Sequence, residues 1–142
     1  MRIIVDTNIF VSGLLNKKGA PGRIIDAILD GDMVALMSDI TFQELKEVLN
    51  RPRLAPYFKR SHAKPTEFLE LLIHLIEIVS VQSVDCEVKI RDIKDQPFIE
   101  LAATLPKPNF LITGDKDFEQ KRYAGVHVIS ASQFVEQFLI NN

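Results

Sequence analysis

The chain has 142 residues, 46% of them hydrophobic and 25% charged, with a formal net charge of −2. That size and balance predict one globular domain spanning residues 1–142 and exclude a disordered chain. The lone cysteine, Cys86, excludes an internal disulfide and a cysteine-ligated zinc site, and no apolar run reaches the ~18 residues a membrane helix needs.

Taken in chain order, Arg2–Val5 is a short continuous apolar run, as expected of a strand buried on both faces of a parallel sheet. The acid at position 6 that follows it does not fit a secretory signal, so a cytoplasmic protein is expected. A short helix then leads to Lys17 and Lys18. Pro21–Leu29 opens with a proline suited to a first turn, repeats Ile24, Ile25, Ile28 and Leu29 at helical spacing, and stops at Gly31. Met33–Met37 reads as a strand. Ile40–Leu49 reads as a helix that ends before Pro52. Pro65–Val79 predicts the longest helix, with Phe68, Leu71, Leu72, Leu75 and Ile76 on its buried side and any surplus apolar surface available to a second subunit. The run Ile78–Val84 fits either a helix end or a strand. Pro97–Leu105 predicts a helix, Phe110–Thr113 and Val126–Ile129 predict strands, and Ser132–Ile140 predicts a last helix. Strands alternating with helices define an α/β fold: a parallel or mostly parallel sheet flanked by helices on both faces.

In such folds functional groups collect beyond the carboxyl ends of the strands. Asp6 directly follows the first strand, and Asp115 follows the strand in Leu111-Ile112-Thr113-Gly114-Asp115-Lys116-Asp117-Phe118. Each could equally cap the helix after it. Glu44 has capping-box spacing from Thr41, but a helix starting at Ser38 or Asp39 would leave it a turn inside and free to point at the sheet edge. Asp95 precedes Gln96-Pro97-Phe98-Ile99 and suits a helix N-terminus, where the dipole favours a carboxylate.

Singly these acids are weak signals, but their order is specific. The segments V-D-T-N-I-F, S-D-I-T-F-Q-E-L, D-Q-P-F-I-E-L-A-A and L-I-T-G-D-K-D-F resemble the PIN domain, a family of metal-dependent nucleases. The likeness runs from Arg2 to about Phe138 and looks closest to the prokaryotic branch of VapC-like toxins of toxin–antitoxin pairs. It implies that Asp6, Glu44, Asp95 and Asp115 are the catalytic quartet and that Asp6, Asp95 and Asp115 hold Mg²⁺ or Mn²⁺. It makes Asp117 an accessory acid and Thr7, Asn8 and Thr113 polar neighbours. Gln96 departs from the pattern, since relatives often carry another acid there. The resemblance also implies hydrolysis of RNA to a 5′-phosphate and a 3′-hydroxyl, a cognate antitoxin and a homodimer.

Four clustered carboxylates repel unless a cation offsets them, and hard divalent ions prefer oxygen ligands. Catalytic acids cannot grip a polyanion, so basic groups must flank them. The best cluster is the connection 51–64, where Arg51, Arg53, Lys59 and Arg60 are candidate RNA contacts and Lys17 and Lys18 form a second, weaker one. Tyr57 and Phe58 in that segment could stack bases, though the plainer reading anchors both in the core. His62, His74 and His127 have no paired spacing that suggests a metal or a general base. Two other functions stay open. A phosphohydrolase of another α/β type also begins with an acid after its first strand, but wants a second acid where Asn8 stands. A non-catalytic PIN-fold interaction module would have no reason to keep all four acids.

Overall fold

The computed structural model describes residues 1–81, 96–114, 122–123 and 125–139. Six strands form its sheet: β1 (Arg2–Val5), β2 (Val34–Met37), β3 (Glu77–Ile78), β4 (Phe110–Ile112), β5 (Arg122–Tyr123) and β6 (Val126–Ile129). They lie in the order β3-β2-β1-β4-β6-β5. Every pairing is parallel except that of β5 with β6 at one edge. The predicted mostly parallel α/β sheet is therefore present.

The central strands β1, β2 and β4 lack polar alternation because both of their faces are buried. Ile3 and Val5 of β1, Ala35 and Met37 of β2, and Ile112 of β4 join one apolar cluster. Ile4, Leu36 and Leu111 join another on the opposite face. Fully burying such a side chain contributes roughly 1.5–3 kcal/mol, so these short strands are held from both sides. The first face is covered by α1 (Thr7–Leu15), α2 (Ala20–Leu29), α3 (Asp39–Leu49), α4 (Ala55–Arg60), α5 (Pro65–Leu72) and α7 (Ala131–Phe134), the last continuing into a π turn at Val135–Leu139. The second is covered by α6 (Gln96–Ala102), through Phe98, Ile99, Leu101 and Ala102. At the amino-terminal edge, Arg2 grips the β3 carboxylate Glu77 with two N–H···O bonds of 3.1 Å each and donates from its third nitrogen to the Pro106 carbonyl at 2.6 Å.

Three expectations about elements need correction. The predicted helix Pro65–Val79 stops at Leu72, and after a turn Glu77–Ile78 pairs with β2 instead. Its helical spacing spans two environments: Phe68 and Leu72 face the core, whereas Leu71 is 57% exposed. The hydrogen bonds that the edge of β2 offers outweigh continuation of the helix, which settles the start of the ambiguous run as a strand; residues 82–84 lie outside the described residues. The helix predicted to Leu105 ends at Ala102, because Pro106 disfavours helical geometry in the residue before it. Of the two aromatics expected in the core, Phe58 is buried, but Tyr57 is half exposed with the Arg60 guanidinium 4.8 Å above its ring.

Candidate active site

The chain runs β1, β2, β3 outward to one side of the sheet, then returns to place β4 and β6 on the other side of β1. The reversal falls between β1 and β4, and α/β sheets open a crevice at such a point beyond the carboxyl ends of the strands. Asp6 and Thr113, the next residues after β1 and β4, sit there. Both prolong the ladder, since Asp6 N–H donates to the Ile112 carbonyl and Thr113 N–H to the Ile129 carbonyl, each at 3.0 Å. Asp6 is only 4% exposed, and the Thr113 hydroxyl donates to its Oδ2 at 2.9 Å. Asp6 occupies the N-cap of α1, yet its side chain makes no capping hydrogen bond. The carboxylate accepts from Thr113 and does not close the helix.

Glu44 reaches the same place from α3. Of the two starts the sequence left open, the structure takes the earlier, with a capping box of Ser38 and Thr41: Thr41 N–H donates to Ser38 Oγ at 3.2 Å and Ser38 N–H to Thr41 Oγ1 at 2.9 Å. The helix therefore starts at Asp39 and leaves Glu44 free to turn towards β1. The Thr7 hydroxyl donates to Glu44 Oε2 at 3.3 Å. Burial raises the Glu44 carboxyl above its ordinary 4.5; the Thr7 hydrogen bond lowers it, the negative charge of Asp6 raises it, and Arg51 and Glu47 act down and up in turn. Two carboxylates from segments 38 positions apart thus share one neighbourhood through Thr7. Glu44 also lines an open cleft of about 700 Å³ with Asp39, Gln43, Glu47, Arg51 and Pro97.

Asp95, Asp115 and Asp117 lie outside the described residues. Among the described residues no group of three or more His, Cys, Asp or Glu could hold a metal by itself. Of the expected ligands only Asp6 is described, and its buried carboxylate is the oxygen donor a hard cation prefers; Glu44, of the expected catalytic set, stands close enough for the charge of Asp6 to raise its pKa. Asn8 is exposed at the start of α1. Among the candidate RNA contacts, Arg51 borders this cleft, while Arg53, Lys59 and Arg60 do not. Sequence reasoning offered Ser38 or Asp39 as the helix start but missed the Ser38–Thr41 box, because S-D-I-T lacks the usual acid or amide three residues on from the cap.

Fold and site together define an α/β domain that gathers acids at the carboxyl edge of its sheet. The PIN domain profile matches residues 2–117, and the chain belongs to the PIN domain family, whose members are typically nucleases. It is also similar to the uncharacterized protein MJ1680 of Methanocaldococcus jannaschii, with 26% identity over 148 residues covering 97% of this chain and 92% of that protein. No helix among the described residues is long and apolar enough to cross a membrane.

Proposed function

We propose that this protein is a metal-dependent ribonuclease that hydrolyses RNA phosphodiester bonds. The observation that carries the reading is that Glu44, bonded to the Thr7 hydroxyl, stands within reach of the charge of Asp6 at the reversal point of the sheet. Asp6, Asp95 and Asp115 would hold Mg²⁺ or Mn²⁺, with Asp117 close in sequence as an accessory acid. When bound, such a cation lowers the pKa of water and offsets negative charge on a phosphate. The other work belongs to the chain. Thr113 fixes the Asp6 carboxylate by its hydrogen bond. Glu44 orients the attacking water and takes its proton, a role suited to a carboxyl whose pKa is raised by burial. Water adds to phosphorus, the 3′-oxygen leaves with a proton, and the products carry a 5′-phosphate and a 3′-hydroxyl.

The test is cleavage of a labelled single-stranded RNA by wild type and Asp6→Asn in Mg²⁺, Mn²⁺ and EDTA. Metal-dependent cutting that Asp6→Asn abolishes, with both proteins folded, supports the reading; equal cutting by the two overturns it. Toxin status, as in the VapC-like branch, is a further part of the proposal. Growth arrest on expression, relieved by Asp6→Asn and by a cognate antitoxin, would support it. A homodimer is proposed as well, supported by the exposed Leu71, Ile73 and Ile78 of α5 and the adjoining edge, and sedimentation would decide it.

A further inference from the structure

Past the last turn of α3 the chain passes through a 3₁₀ turn at Pro52–Leu54 and then α4. A second cleft of about 510 Å³ opens there, between the end of α3, α4 and the start of α5. Arg51, Lys59, His62 and Lys64 stand around it over a floor that includes Leu49 and Phe58, and no Asp or Glu is among the described residues lining it. Arg51 borders both this basic cleft and the acidic one that contains Glu44, so the two meet at this residue.

His62 carries a second, independent sign. It closes α4 with φ of 58°, the left-handed conformation that favours glycine. Its N–H donates to the Lys59 carbonyl at 3.2 Å, and the Ala63 N–H donates to the Phe58 carbonyl at 2.9 Å. These are the two bonds of a Schellman ending, in which the left-handed position is usually glycine. A histidine there is less favourable than glycine, and it places an imidazole at the cleft wall.

We propose that this basic cleft binds the phosphates of the RNA strand beyond the scissile bond, with Arg51 at the junction between the cutting site and the track. The inference rests on the reading of the acid site as one that cuts RNA, and it divides the basic segment. Arg51 and Lys59 serve the track together with His62 and Lys64, whereas Arg53 and Arg60 stand outside it. Arg60 lies over Tyr57 instead.

The test is binding of a fluorescein-labelled twelve-residue oligouridylate, followed by anisotropy in EDTA across a salt series, so that binding is read without cleavage. Lys59→Gln/Lys64→Gln should weaken binding on the order of tenfold and flatten the plot of log affinity against log salt by about 1.4, about 0.7 for each phosphate of a single strand. Lys59→Arg/Lys64→Arg should keep both. Lys46→Gln/Lys107→Gln removes the same charge from positions that line neither cleft and should change affinity less than twofold. His62→Gly should weaken binding about threefold while raising Tm by about 3 °C, opposite signs that a merely structural role would not give. Equal losses from the two glutamine pairs, or no binding by wild type, would overturn the track. RNA bound through the cleft but never cut would remove the proposed nuclease and leave the track standing. Cutting that needs Asp6, with binding indifferent to Lys59 and Lys64, would do the reverse.

Discussion

The hydroxyls of Thr113 and Thr7 do at the residue scale what the acids cannot do for themselves, which is to hold a carboxylate in one orientation. Thr113 is buried and donates to a buried Asp6. Thr113→Val keeps the shape and removes the donor, leaving a buried charge short of one partner. Loss of a hydrogen bond to a charged group costs about 1.5–3 kcal/mol, and urea unfolding should show a loss in that range together with slower RNA cleavage. Glu44 makes the opposite prediction. Its pKa is raised in the folded protein, so the folded state binds more protons than the unfolded chain between 4.5 and the raised value. Stability therefore falls as pH rises through that window, and the ionised carboxylate is a cost at neutral pH. Glu44→Gln should raise Tm at pH 7 in EDTA, with the gain fading below pH 4.5, while cleavage is lost. A lower Tm at pH 7 would mean that the carboxylate is a net stabiliser.

At the scale of elements, the ends of helices position the site. Ser38 and Thr41 are both buried and cap each other, which sets where α3 begins and hence which way Glu44 points. Ser38→Ala should cost about 1 kcal/mol in chemical unfolding and lower cleavage as well, whereas a cap without influence on Glu44 would lower stability alone. Packing of α1 against α2 depends on small residues. A Cβ on Gly22 would land on the Lys17 carbonyl, and one on Gly13 would lie 2.9 Å from the Pro21 carbonyl oxygen. Gly22→Ala should therefore destabilise by about 1–3 kcal/mol, the usual cost of overpacking, despite alanine's better helix propensity. Element types were largely legible in the sequence, because the doubly buried strands read as unbroken apolar runs and prolines marked several helix starts. The end of α5 was not, because a two-residue edge strand leaves no periodicity and its pairing with β2 is a tertiary choice. The bond between Arg2 and Glu77 was equally invisible, joining residues 75 positions apart.

The topology of the whole molecule puts Asp6 at the centre of the candidate site. β1 lies between β2 and β4, and the chain leaves it in one direction and returns on the other side. An acid after β1 therefore stands at the crevice, where the chain after β4 also arrives. Sequence order placed Asp6 and Thr113 at strand ends, and the folded chain confirms both. The convergence of Glu44 on Thr7 could not be read the same way, since it depends on how α3 crosses the sheet edge. A cation held at this crevice would bind the folded state alone, because the unfolded chain scatters its ligands. Stabilisation would then follow RT ln(1 + [metal]/Kd), about 1.4 kcal/mol at ten times Kd, or about 4 °C for a chain of this length. Thermal unfolding in a Mn²⁺ titration should show that rise for wild type. Glu44→Gln, which lies outside the proposed ligand set, should retain it, and Asp6→Asn should lose it. The same rise in Asp6→Asn would put the cation elsewhere on the molecule, and its loss in Glu44→Gln would make Glu44 a ligand and leave water activation to another acid.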